Sequence, residues 1–127
     1  MVCIDSDILI EFLRNNIQIV SKINRLKNSG ENLAITSINS FELFKGISAI
    51  SGMPKEKIAE FISNFSLYNF DYDSSRKAAE IFNDLKKNGD IIELPDIMIA
   101  SIALTNNESI FTNNKKHFER IKELNLI

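Results

Sequence analysis

Apolar residues follow two alternating patterns along this chain. Short apolar runs typical of buried strands cover residues 1–4, 33–36, 67–70, 109–112 and 124–127. Between them, apolar residues recur every three or four positions, as in amphipathic helices, over residues 17–26, 58–65 and 78–85. This alternation predicts an α/β fold, in which about five mainly parallel strands form a sheet with helices on both faces.

Composition limits the protein to one ordinary globular domain. With 127 residues, 44% hydrophobic and 25% charged, the chain can form one core, so we expect a single domain over residues 1–127. Cys3 is the single cysteine and cannot form an intrachain disulfide, which favours the cytoplasm. No apolar run approaches the roughly 18 residues of a membrane span, so we expect no membrane partner. A net charge of −2 gives no general argument for nucleic-acid binding.

Acidic residues stand where such a fold places its ligands, beyond the carboxyl ends of the strands. Asp5 follows the first strand directly, where it could cap the next helix or belong to a site. Glu42 has apolar neighbours on nearly every side of its predicted helix, including Ile47 and Ile50, so we expect that helix to be largely buried. A carboxylate there is costly unless a cation or metal pairs with it, although an exposed polar strip remains an alternative.

The third acid, Asp96, opens an almost wholly apolar helix over residues 94–104 that we expect to be central in the fold. Pro95 suits the first turn, and the helix dipole alone could explain an acid at this position. Three carboxylates meeting at one sheet edge repel one another unless a divalent cation joins them. Oxygen ligands without His or Cys favour Mg²⁺ or Mn²⁺. His117, the only histidine, matches no zinc spacing and is interpreted as an ordinary, partly exposed helix residue.

These motifs together resemble the PIN-domain ribonucleases, and within them the VapC-like toxins of toxin–antitoxin pairs. The resemblance covers essentially the whole chain and rests on four ordered segments, at residues 5–10, 40–46, 96–100 and 112–118. It implies a three-layer α/β/α domain and a homodimer that cleaves RNA, such as tRNA, with Mg²⁺ or Mn²⁺. It also implies a cognate antitoxin that blocks the site.

The resemblance assigns roles residue by residue. Asp5, Glu42 and Asp96 match the three metal-binding and catalytic acids of the family. Ser6 takes the place of a small hydroxyl residue that is implied to order the first motif and so to position the ligands. From their charge and position, the other residues expected to position ligands or water are Asp7, Thr112 and Asn114, and those expected to hold the RNA backbone are Arg14, Lys115 and Lys116. The last motif departs from the family, because Asn114 and His117 stand where many members have a fourth acid.

Other interpretations remain open at this stage. A PIN fold lacking the fourth acid could be a weak or inactive RNA-binding scaffold. The acids at residues 5–7 imitate a haloacid-dehalogenase-like phosphatase, but Ile8 and Leu9 replace the Gly-Thr of that class. A receiver-like module with Asp71 as phosphate acceptor lacks the Lys-Pro expected after its last strand.

Overall fold

The computed structural model describes the backbone of residues 1–127 and the side chains of residues 1–46 and 52–127. Its strands are β1 (Val2–Ile4), β2 (Leu33–Thr36), β3 (Ser66–Tyr68) and β4 (Ser109–Phe111). Its helices are α1 (Ser6–Leu13), α2 (Ile17–Asn28), α3 (Ser37–Ser51), α4 (Lys55–Ile62), α5 (Tyr72–Lys87), α6 (Leu94–Thr105) and α7 (Lys115–Phe118).

The four strands form one parallel sheet in the order β3-β2-β1-β4. Cys3 lies at its centre, in register with Ala34 of β2 on one side and Ile110 of β4 on the other. The predicted strand at residues 124–127 is reduced to a single parallel bridge between Ile110 and Leu126. The sheet therefore has four strands and one additional bridge, close to the sequence prediction of about five strands.

Successive residues of β1 point to opposite faces of the sheet, and each face has its own core. Ile4 packs with residues of α1 to α4, including the fully buried Ile8 and Leu43. Cys3 packs on the other side with residues of α5 and α6, including Ile99. These two cores give the three layers of the α/β/α sandwich that the sequence predicts.

Two helices important for the site differ in burial. α6 buries Ile97 and all of residues 99–103, which confirms its central position. The expectation that α3 is largely buried is wrong: Leu43 is buried, but Phe41 is 60% and Phe44 37% exposed. Within the described part of α3, Asn39 and Leu43 are buried, while the side chains of Ile47 and Ile50 lie outside the described residues. Over the part of the chain that is described, no helix is long and apolar enough to cross a membrane.

Candidate active site

Asp5 lies at the carboxyl edge of the sheet, between β1 and α1. Its backbone N–H donates to Phe111 O at 3.0 Å, which continues the pairing of β1 with β4. Its Oδ1 accepts from the backbone N–H of Ser6 (2.8 Å), and its Oδ2 accepts from Thr112 Oγ1 (2.8 Å). Asp5 is therefore a helix cap, and the same carboxylate contacts Thr112 at the end of β4.

Burial and negative neighbours oppose the ionisation of Asp5. The residue is 6% exposed. Burial, and then the negative charge of Asp7, raise the pKa of Asp5 to about 7, and the charge of Asp96 acts in the same direction. The hydrogen bonds from Thr112 and Ser6 only partly offset this rise. Among the described side chains, no Lys or Arg forms an ion pair with Asp5.

Glu42 extends from α3 toward the same edge and is held by α1. Its Oε1 accepts a hydrogen bond from Ser6 Oγ at 2.8 Å. Burial raises the pKa of Glu42, and the charges of Asp96 and Asp7 add to that rise. Ser6, the residue implied to order the first motif, therefore contacts one of the three acids and directly follows another.

Asp96 sits in the first turn of α6 and contacts the helix that follows β4. His117 Nδ1 lies 3.0 Å from Asp96 Oδ2. Burial raises the pKa of Asp96, while the hydrogen bond and charge of His117 lower it. The interpretation of His117 as an ordinary helix residue is thus incomplete, because its exposed ring contacts a site acid that no spacing rule in the sequence connects to it.

Asp7 and the loop that follows β4 contact each other at the same edge of the sheet. Asp7 Oδ2 accepts from the backbone N–H of Asn113 at 2.9 Å and lies 3.4 Å from Thr112 Oγ1. The backbone N–H of Asn114 donates to Thr112 Oγ1 at 3.0 Å, while its side chain is exposed. Thr112 therefore connects Asp5, Asp7 and the Asn114 backbone, which places this loop beside the acids.

Asn39 is fully buried at the same edge; its sequence position marks it as a residue that could start α3 but gives it no role in the site. Its side-chain oxygen accepts from the backbone N–H of Thr36 (3.0 Å), and the backbone N–H of Asn39 donates to Thr36 Oγ1 (3.1 Å). This reciprocal pair is a capping box with Asn in place of the usual Glu or Gln. The spacing Thr36-x-x-Asn39 at a strand–helix junction was the available signal. Asn39 Nδ2 also donates to Ser6 Oγ at 2.9 Å and lies 3.4 Å from Asp5 Oδ1.

Donor chemistry at this edge fits a hard divalent cation, although the side chains have not converged on one point. Within the described side chains, none of the four acids Asp5, Asp7, Glu42 and Asp96 forms an ion pair with Lys or Arg. Mutual repulsion of carboxylates is the condition that such a cation relieves. In the same described region, no three His, Cys, Asp or Glu side chains are grouped closely enough to hold a metal ion. One oxygen of Glu42 is held by Ser6, and one oxygen of Asp96 lies beside His117.

The basic residues implied to bind RNA lie at different distances from the acids. Lys115 and Lys116 are exposed in α7, directly after the loop that contacts Asp7, and neither forms an ion pair with a described side chain. Arg14 lies at the opposite end of α1 from Asp5, and its guanidinium is 3.2 Å from Glu11. Lys115 and Lys116 thus follow the loop that contacts Asp7, whereas Arg14 is separated from Asp5 by the length of α1.

Comparison with known proteins agrees with this architecture. Over 125 residues the chain is 30% identical to Ribonuclease VapC1 of Methanocaldococcus jannaschii, covering 98% of this chain and 84% of that protein. It is 32% identical over 112 residues to Ribonuclease VapC2 of Rickettsia felis, covering 87% of this chain and 78% of that protein.

Structural similarity extends over the entire chain. A crystal structure of VapBC2 from Rickettsia felis, bound to a DNA fragment from their promoter, superimposes with a TM-score of 0.85 and 27% identity. The match covers 100% of this chain and 98% of that one. The PIN domain family model matches residues 2–124, and the chain therefore belongs to the PIN domain family.

Proposed function

We propose that this protein is a Mg²⁺- or Mn²⁺-dependent endoribonuclease and the toxin of a toxin–antitoxin pair. The relatives named Ribonuclease VapC support the nuclease activity. The observation that carries the proposal is the set of four acids at one sheet edge, one of them buried, with no Lys or Arg paired to them among the described residues. A structural role alone does not explain why the fold accepts this repulsion.

The proposed ligands are Asp5, Glu42 and Asp96. A divalent metal held there would polarise a phosphodiester oxygen and lower the pKa of the attacking water. Asp5 is oriented for this role by hydrogen bonds from Thr112 and Ser6, and Glu42 by Ser6. Such outer contacts fix ligand orientation and typically affect metal affinity 10- to 100-fold (about 1.4–2.7 kcal/mol).

The chain also supplies groups for the proton that the water must lose. Glu42 and Asp96 are both partly exposed, so a water molecule can reach either carboxylate, and either could accept that proton. Asp7, held by the Asn113 backbone N–H, adds negative charge beside them. Asp7 thus supplies a fourth carboxylate, although the two positions where many family members have a fourth acid hold Asn114 and His117 in this chain.

RNA binding is proposed for the α7 end of the site. Lys115 and Lys116 are exposed cations that follow the loop contacting Asp7, and they can contact phosphates without reading sequence. Arg14 has the weakest support of the three predicted cations, since it is paired with Glu11 at the far end of α1.

Two protein partners are part of the proposal. A cognate antitoxin is supported by the similarity to VapBC2 of Rickettsia felis, since VapBC is a family of toxin–antitoxin systems. A homodimer is supported by large apolar side chains that the isolated chain leaves exposed, among them Phe41 at 60% and Leu94 at 56%. Light scattering of the purified chain, alone and with its antitoxin, tests both partners.

The alternative function is a PIN-fold RNA-binding protein without catalysis. It is favoured by the absence, over the described residues, of three acids already grouped around one metal position. The phosphatase and receiver interpretations are not retained, because the family model covers almost the whole chain.

A cleavage assay separates the two functions. The antitoxin-free protein should cleave RNA in Mg²⁺ or Mn²⁺ and stop when the metal is chelated. Asp5→Asn, Glu42→Gln and Asp96→Asn should each remove most of the activity, whereas Asp73→Asn, at an exposed acid in the first turn of α5, should not. If all three site variants kept the wild-type rate, the proposed function would be wrong.

A further inference from the structure

We infer that Asn39 is a positioning residue for the metal-binding carboxylates, and this inference rests on the proposed function. Its amide connects the N-terminal cap of α3 to Ser6, and through Ser6 to Glu42, while also approaching Asp5. Neither Asn39 nor Thr36 belongs to the set of residues that the family resemblance assigns to the site. The hydrogen bonds of Asn39 and Ser6 each have one defined direction.

The orientation of the Asn39 amide is determined by a backbone group. Because the Thr36 N–H can only donate, the Asn39 atom 3.0 Å from it must be the side-chain oxygen. The Thr36 hydroxyl lies 2.7 Å from the same oxygen. The amide nitrogen therefore faces the opposite way, toward Ser6 and Asp5.

The direction of the Ser6 hydroxyl follows from that orientation. Asn39 Nδ2 only donates, so at 2.9 Å the Ser6 oxygen accepts. The single hydroxyl proton of Ser6 is then free to be donated to Glu42 Oε1, which lies 2.8 Å away. A chain of donors, meaning a continuous series of hydrogen bonds, thus links the α3 cap through Asn39 and Ser6 to the proposed metal ligand Glu42.

Burial makes this chain of donors rigid. Thr36 and Asn39 are fully buried and Ser6 is 9% exposed, so water does not readily replace their hydrogen bonds. Glu42, in contrast, is a long side chain on a helix that is exposed on one face. Fixing its carboxylate before a metal arrives lowers the ordering cost of binding, which is the effect of outer-shell contacts in metal sites.

The variant Asn39→Ser tests the inference while leaving the helix cap in place. The same chain already uses serine at this cap position in α5, where the Asp71 backbone N–H donates to Ser74 Oγ at 2.7 Å. A serine at position 39 can accept from Thr36 N–H in the same way, but it is too short to reach Ser6 and Asp5. The substitution therefore removes only the amide donor.

The readout is Mn²⁺ affinity, measured from the free-Mn²⁺ signal in electron paramagnetic resonance titrations of the full chain without RNA. Asn39→Ser should weaken Mn²⁺ binding by about 10-fold or more, within the range expected for a lost outer-shell partner. Ser6→Ala removes the same link without touching the α3 cap, so it should weaken binding to a similar degree. The double variant Asn39→Ser/Ser6→Ala should bind Mn²⁺ no more than about threefold more weakly than Asn39→Ser alone, because both changes break the same series of hydrogen bonds.

Thr36→Val is the matched control. It removes the hydroxyl contacts to Asn39 but retains the backbone N–H that orients the amide, so its Mn²⁺ affinity should stay within about threefold of wild type although its melting temperature falls. Weakening by Thr36→Val equal to that by Asn39→Ser would show a general effect of the cap and overturn the inference. Wild-type affinity in Asn39→Ser or in Ser6→Ala would overturn it as well. If the wild-type protein itself binds no Mn²⁺, the proposed function fails first, and this inference fails with it.

Discussion

Replacing Asp5 by Asn should stabilise the metal-free protein at neutral and alkaline pH. The amide has the shape of the carboxylate but no charge to be desolvated or repelled by Asp7. Its oxygen can still accept from the Ser6 N–H, and its nitrogen can donate to Thr112 Oγ1, which sits 2.8 Å from the present Asp5 Oδ2. The contacts of the site are therefore kept while the unfavourable charge is removed.

The magnitude follows from the pKa of Asp5, which rises from 3.8 to about 7 in the folded chain. Since each tenfold change in acidity corresponds to about 1.4 kcal/mol, the ionised form costs the folded state up to ~4 kcal/mol. Between these two pKa values the folded chain holds a proton that the unfolded chain has released. Stability therefore falls as pH rises from about 4 to 7 and stays low above that range. We expect Asp5→Asn to recover about 1–3 kcal/mol at pH 8, because neighbouring groups relax around the charge in the wild type.

Urea unfolding of both proteins in chelator, at pH 4.5 and pH 8 and constant ionic strength, measures this difference. The two proteins should have similar unfolding free energies at pH 4.5, and the variant should be the more stable at pH 8. Asp73→Asn serves as the control, since this exposed acid should show no such pH-dependent gain. An Asp5→Asn protein that is less stable than wild type at pH 8, with the same deficit at pH 4.5, would refute the reasoning.

Three further outcomes concern the loop after β4 and α7. His117→Ala removes the 3.0 Å contact with Asp96, so it should lower metal-dependent cleavage several-fold with little change in melting temperature; an unchanged rate would mean that the contact has no role in the site. Asn114→Asp adds a negative charge to a loop whose backbone contacts Thr112 and should tighten Mn²⁺ binding, whereas an unchanged titration would mean that the side chain faces away. The double variant Lys115→Ala/Lys116→Ala should weaken RNA binding and reduce the slope of log K against log salt by about 0.7 per lost phosphate contact; a slope equal to wild type would place the RNA elsewhere.

Periodicity was sufficient to predict the layers of this fold, because β1, β2, β4 and α6 are short runs of buried, mostly apolar residues. The third strand is an exception, since Leu67 in β3 is 48% exposed. Less predictable was how far each element is buried. Glu42 has apolar neighbours on nearly every side of α3, yet Phe41 and Phe44 are exposed in the isolated chain. A pattern of residue types does not show whether an apolar side of a helix packs within its own chain or against another protein. The apolar run at residues 124–127 does not form a full strand, since only Leu126 forms a bridge with β4, at Ile110.

The position of the acids at one edge was predictable, because strand ends and helix starts converge at one edge of a parallel sheet. The residues that contact the acids were harder to predict. The contact of His117 with Asp96 joins residues 21 positions apart through the way α7 packs, which local spacing does not encode. Asn39 was overlooked because its sequence signal is that of a helix cap, and its contact with Ser6 depends on β1 and β2 being neighbours.

The most direct test of the central claim is anomalous diffraction from a crystal of the protein soaked with Mn²⁺. The account predicts one strong anomalous peak within bonding distance, about 2.0–2.4 Å, of carboxylate oxygens of Asp5 and Asp96, with Glu42 as a direct or water-mediated ligand. In a crystal of Asp96→Asn the peak should be weak or absent. A fully soaked wild-type crystal with no peak at this edge, or with Mn²⁺ bound only elsewhere, would contradict the claim that these acids form one metal site.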